Sequence, residues 1–126
     1  MKPRLDLIGL VVRDMGASLE FYRRLGFDFP PGAENEGHVE VTLPGGLRFA
    51  WDSLEVIRSF DPAYEFHPQH AGAYLCESPA AVDALYRELL EAGYQGHKAP
   101  WDAFWGQRYA VVKDPDGHTV DLFAPL

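Results

Sequence analysis

The sequence predicts an α+β domain built from two half-chain repeats, and three observations carry that prediction. Two amphipathic stretches with helical spacing each follow a short apolar strand. Each ends in a similar phrase, Leu25-Gly26-Phe27 and Ala92-Gly93-Tyr94, and the two glycines lie 67 positions apart in a chain of 126 residues. Similar elements recurring in the same order half a chain apart signal duplication. Alternating apolar and polar runs bounded by Pro- and Gly-containing turns follow each helix, as half-buried strands require.

The elements can be justified in order. Ile8 to Val12 is an apolar strand, stopped at Asp14, which caps a helix running to Leu25 with Gly26 just past its end. Met15, Leu19 and Tyr22, with Phe21 and Leu25, fall at helical intervals and form its apolar stripe. His38 to Leu43 alternates, turns at Pro44-Gly45-Gly46 and returns as Leu47 to Trp51. Residues 54–70 hold two prolines and no clear period, and read as a linker with a short helical turn. Gly72 to Cys76 forms the next strand, and Ser78-Pro79 opens a second helix as cap and first-turn proline. Val82, Leu85, Leu89 and Ala92 make that helix's stripe. A short strand follows Gly96, and the chain closes with a hairpin, Tyr109 to Val112 and Val120 to Phe123, around Asp114-Pro115-Asp116-Gly117. Each half thus reads strand, helix, three strands, in modules of about 4–53 and 71–126 within one domain.

Composition excludes several functions. A net charge of −8 argues against nucleic acid, whose binding draws on clustered Lys and Arg. No apolar run is long enough to span a membrane, and Met1 to Asp6 is too polar to open a secretory leader, so a cytoplasmic location is expected. One cysteine, Cys76, gives no disulfide framework and no cysteine-rich zinc site. No phosphate loop, dinucleotide fingerprint or nucleophile elbow is present. The five histidines (His38, His67, His70, His97, His118) lack metal-site spacing and read as exposed or turn positions. No catalytic residue is assigned.

The run from Ala99 to Phe123, where PWDAFWGQRYAVV leads to the Asp-Pro-Asp-Gly turn and then VDLF, resembles the vicinal-oxygen-chelate superfamily. That is the glyoxalase, bleomycin-resistance and extradiol-dioxygenase group, and the run is most similar to its bleomycin-resistance and glyoxalase-like branch. The first half, IGLVVRDMGASLEFYRRLGF, extends the resemblance over nearly the whole chain. It implies two βαβββ modules forming a cupped sheet around a cleft, and a homodimer. It also implies a divalent metal held at four strand positions, which here fall on Leu7, Arg48, Ala71 and Asp121. Leu and Ala offer no donor and Arg repels a cation, so the expectation is no metal and no cofactor. A slip of one residue would put His70 at the third position, leaving two donors with Asp121 and keeping one divalent metal as the alternative.

The candidate ligand-binding residues are Trp51, Trp101, Phe104, Trp105, Arg48 and Asp121. Arg48 and Asp121 are candidates to pair in the volume a metal would fill, the alternative being that Arg48 lies on a hairpin edge and reaches solvent. Trp101, Phe104 and Trp105 sit in a loop-like heptapeptide, Pro100 to Gly106, without a period that would bury all three rings. They suit a ligand wall, a subunit contact or the core, and the sequence does not choose. The resulting expectation is a small-molecule binding or sequestering protein of the antibiotic-resistance type, its ligand hydrophobic, planar or cationic, with no nucleic-acid or membrane partner. The alternative is a metal-dependent glyoxalase-type lyase, isomerase or dioxygenase.

Overall fold

Asp14 stops the first strand and starts the first helix. Its side chain accepts the backbone N–H of Ala17 at 3.1 Å, satisfying one of the donors a helix start leaves orphaned. Ser53 and Ser78 do the same for Val56 and Ala81, at 3.2 and 3.1 Å. Past the first and last of these three helices, Gly26 and Gly93 take positive φ (102° and 98°), a conformation cheap only for glycine. Phe27 N–H then donates back to the carbonyl of Tyr22, and Tyr94 N–H to that of Leu89. The duplicated phrase is thus a duplicated helix stop.

A computed structural model describes residues 1–126 as two compact units, Met1–His67 and Pro68–Leu126. The first contains β1 (Leu7–Val12), α1 (Met15–Arg23), a single 3-10 turn (Ala33–Asn35), β2 (His38–Thr42), β3 (Arg48–Ser53) and α2 (Leu54–Phe60). Its sheet runs β1-β3-β2, with β1 parallel to β3 and β2 antiparallel. The second contains β4 (His70–Leu75), α3 (Pro79–Glu91), β5 (Gln95–Ala103), β6 (Gln107–Lys113) and β7 (Thr119–Pro125). Its sheet runs β4-β7-β6-β5, with β4 parallel to β7 and the other pairs antiparallel. The α+β class holds, and so does βαβββ for the second half.

Two local expectations change and a third is made definite. In the first half only two strands follow α1, because Pro30 and Pro31 remove ladder donors and Gly32 turns at φ 85° into the 3-10 turn. The short helical turn expected within residues 54–70 is a capped helix, Leu54–Phe60. Pro100, Trp101 and Asp102 belong to β5, not to a loop, leaving Phe104 to Gly106 as the turn. β5 is an edge strand with two register shifts, the setting in which a sheet tolerates proline.

The core of the first unit is aromatic. Trp51 is fully buried, with ring centroids of Tyr22, Phe27, Phe29 and Phe49 between 4.8 and 5.4 Å away. Trp51 was expected in a ligand wall. Instead it faces α1, and its solvent-inaccessible ring fills the core. The opposite face of that sheet is polar. Arg48 donates to Asp6 at 2.6 Å and to Glu40 at 2.8 Å. His38 Nδ1 lies 2.5 Å from Asp52 Oδ1 on the facing strand position, and His38 Nε2 lies 3.7 Å from Glu40. The hydrogen bond to Asp52, helped by the charges of Asp52 and Glu40, raises the His38 pKa above 6.5 despite partial desolvation.

In the second unit the apolar positions of β6 and β7 (Ala110, Val112, Val120, Leu122, Ala124) are fully buried, as are Val82 and Leu89 of α3. Arg108 clamps Asp83 of α3 with two hydrogen bonds, at 2.9 and 3.1 Å, and reaches Asp102 at 3.1 Å. His118 was expected in an exposed turn but is fully buried, its Nδ1 accepting Gln69 N–H at 2.8 Å. That bond ties the final hairpin to the entry of β4. The other four histidines are exposed.

Two outcomes follow. Trp51→Ala should destabilise by about 3–5 kcal/mol in urea unfolding, the range for deleting a large buried ring; a loss near zero would contradict the core assignment. NMR titration should put the His38 midpoint above 6.5, and Asp52→Asn should lower it. Because folding raises this pKa, the pair's stabilisation is complete below 6.5 and fades as pH rises through the raised value.

Candidate functional site

Strand alternation decides which side chains of the second sheet turn away from α3. With Ala110 and Val112 buried against the helix side, Tyr109, Val111 and Lys113 of β6 point to the other face, as do Thr119, Asp121 and Phe123 of β7. Cross-strand pairing arranges them in rows. Trp101, Tyr109, Phe123 and Leu75 form one row across β5, β6, β7 and β4. Lys98, Val111, Asp121 and Ala73 form the next. Lys113, Thr119 and His70 form the third.

The first row is a continuous aromatic surface. Tyr109 stacks on Phe123 with centroids 6.2 Å apart and meets Trp101 edge-on at 5.5 Å. Trp105, from the β5–β6 turn, meets Trp101 at 5.9 Å and Tyr109 at 5.3 Å, nearly perpendicular to both. Its indole N–H donates to Gln107 Oε1 at 2.8 Å, which fixes the ring orientation. These are favoured ring geometries, each adding to simple burial. Trp105 remains 48% exposed and Phe104, leaning on it at 5.1 Å, 97%. Of the six expected ligand-binding residues, this face brings together Trp101, Phe104, Trp105 and Asp121.

The second and third rows carry the polar chemistry. Tyr109 hydroxyl donates to Asp121 Oδ2 in a short hydrogen bond. Burial, then the bond to Asp121 and its charge, push the Tyr109 pKa up to about 12, so the hydroxyl stays a donor at neutral pH. His70 Nδ1 sits 3.1 Å from Thr119 Oγ1 and 3.9 Å from Asp121 Oδ1. Lys98 Nζ lies 5.0 Å from the centre of the Trp101 ring. Asp102, next to Trp101 on β5, pairs with Arg108.

The positions that the resemblance assigns to a metal can be tested on their donors. Leu7 and Arg48 are direct partners on β1 and β3, one a hydrocarbon and the other a cation already held by Asp6 and Glu40. Ala71 is buried and lacks a donor, and the sheet register shifts between His70 and Ala73 around Gly72, whose φ is 98°. That shift brings His70, rather than the residue at 71, towards Asp121. Two donors remain, one of them an acceptor for Tyr109. The set does not fit a divalent ion, which takes three or four ligands at ~2.0–2.3 Å.

Tyr109, Phe123 and Lys98 went unrecognised as site residues in the sequence. The signal for the first two was present, because the Asp114–Gly117 turn sets the register that places Tyr109 opposite Phe123. Lys98 carried no such signal, since the register shifts in β5 scramble simple alternation.

Comparison with known proteins agrees with this architecture. The sequence profile of the Glyoxalase/Bleomycin resistance protein/Dioxygenase superfamily matches residues 4–122. An uncharacterized protein of Mycobacterium tuberculosis is 44% identical over 45 residues, 36% of this chain, and the match spans only 26% of that relative's length. The crystal structure of a glyoxalase/bleomycin resistance protein/dioxygenase from Nocardioides superposes with a TM-score of 0.68 at 26% identity, covering 100% of this chain and 85% of that one. A glyoxalase/bleomycin resistance protein/dioxygenase family enzyme from Burkholderia phytofirmans PsJN shares the fold at a TM-score of 0.78 and 19% identity, covering 98% and 100%. With the profile matched over nearly its full length, the chain belongs to the glyoxalase/bleomycin resistance protein/dioxygenase superfamily.

Proposed function

We propose that this chain binds a planar small molecule on the open face of its second sheet, and holds it without a metal. The observation that carries this reading is the aromatic row Trp101–Tyr109–Phe123, extended by the half-exposed Trp105. Half-buried aromatic side chains grouped on one sheet face beside an exposed ring favour a flat ligand, which adds stacking contacts to those the rings make with one another. Sequestration of an aromatic compound is the activity this surface suits. The same reading includes a homodimer, and light scattering at the single-chain mass of 14.1 kDa would count against it.

A metal-dependent lyase, isomerase or dioxygenase is the competing reading, and it rests on His70 and Asp121. Their atoms lie 3.9 Å apart, and Asp121 already accepts from Tyr109. The proposal therefore expects no stoichiometric metal in protein purified without chelator, and no change in Tm on adding EDTA. One metal per chain, lost in Asp121→Ala, would revive the enzyme reading.

Ligand binding has its own test. Ethidium, a planar cation, should quench tryptophan fluorescence saturably, and Trp105→Ala should weaken it about three- to tenfold, as loss of one ring contact implies. The same substitution should change unfolding stability by about 1 kcal/mol or less, because the ring is half exposed. A variant that loses stability but keeps its affinity would place Trp105 in packing instead.

A further inference from the structure

The open face of the second sheet is electrically polarised along its middle row. Lys98 on β5 pairs in register with Val111 on β6, and Val111 with Asp121 on β7. Their backbones are therefore two strand spacings apart, roughly 9–10 Å at about 4.8 Å per strand. Lys98 is on the aromatic face, because its ammonium lies 5.0 Å from the centre of the Trp101 ring. It is exposed and makes no ion pair with a carboxylate. Lys113, two residues beyond Val111 on β6, adds a second positive charge to the same face. On β7 the sign reverses. Asp121 gives one oxygen to Tyr109 hydroxyl, while the other faces His70 at 3.9 Å, beyond hydrogen-bonding distance. Between the charges lies half-buried Val111, and alongside runs the aromatic row.

A ligand lying flat on this row meets positive charge over β5 and β6 and negative charge over β7. A neutral aromatic uses the rings alone. A simple cation is drawn to Asp121 but repelled at Lys98, and a simple anion meets the reverse. Only a molecule with both charges, at opposite ends of a rigid ring system, satisfies the face. We infer that the ligand of this site is a zwitterionic aromatic molecule, its acidic group toward Lys98 and its basic nitrogen toward Asp121. This inference rests on the aromatic face being the ligand site, and it narrows the ligand class beyond planar and cationic. The protein's net charge of −8 would by itself favour any cation, so a preference for the zwitterion over the cation reports this local arrangement.

Isothermal titration with four naphthalene probes tests it: 2-naphthol, 2-naphthoate, 2-naphthylmethylamine and 6-(aminomethyl)-2-naphthoate. The last carries its charges at opposite ends of the ring. It should bind about two- to fivefold tighter than either singly charged probe, the range for one exposed charge pair, and the advantage should shrink at high salt. Lys98→Met should abolish its advantage over the amine, and Asp121→Asn its advantage over the acid. Lys98 is exposed, so the first variant keeps the test valid even if the second folds poorly. If the zwitterion binds no tighter than the singly charged probes, or Lys98→Met leaves its advantage intact, the inference is overturned while the aromatic wall stands. If no probe binds, including 2-naphthol, the wall itself fails and the inference with it.

Discussion

The carboxylate of Asp114 accepts two backbone N–H groups inside its own turn, those of Asp116 and His118, each at 2.9 Å. Gly117, at φ 85°, and the backbone bond from Asp114 N–H to His118 carbonyl complete the turn. Sheet register has a period of two, so a slip of one residue here would exchange the two faces of the closing hairpin. Held as it is, the turn sends Val120, Leu122 and Ala124 into the core and Thr119, Asp121 and Phe123 to the open face. His118 carries the same constraint to β4 through Gln69. The candidate site is thus a consequence of turn chemistry made at some distance from it.

Electrostatics then separate two kinds of polar residue. Arg48 is held by Asp6 and Glu40, His38 by Asp52 and Glu40, and Arg108 by Asp83 and Asp102. These groups are neutralised locally, and their exposed pairs contribute little to stability singly. On the open face of the second sheet the balance differs. Tyr109 supplies Asp121 with a hydrogen bond, His70 approaches its other oxygen only to 3.9 Å, and Lys98 leans on a ring instead of a carboxylate. Charge only partly compensated beside apolar surface is what a binding face offers a ligand and a folded core does not.

How much of this the sequence made legible depends on the range of the interaction involved. Local rules were readable: the caps at Asp14 and Ser78, the glycine stops at 26 and 93, and the hairpin at 114–117 all depend on neighbours within a few residues. The family resemblance drew on the same segments. Trp51 and Trp105 are the same residue type at strand and turn positions, yet one is the centre of a core and the other half exposed. What separates them is whether Tyr22, Phe27 and Phe29 arrive from elsewhere in the chain, which no local pattern states. The approach of His70 to Asp121 was legible only as a one-residue slip, for a related reason. It depends on an irregular register at Gly72, and simple alternation cannot anticipate one. Pro100 misled in the opposite direction, since proline reads as loop until β5 is known to be an edge.

The central claim is that the aromatic row of the second sheet, and not the buried tryptophan of the first unit, receives the ligand. The chain has three tryptophans, so its three indole N–H resonances report both places at once. In 15N-labelled protein titrated with a planar aromatic compound, the account predicts saturable shifts of the Trp101 and Trp105 indoles and of backbone amides at Tyr109 and Phe123, with the Trp51 indole unmoved. Shifts confined to Trp51 and its neighbours, with Trp101 and Trp105 unchanged at saturation, would contradict it.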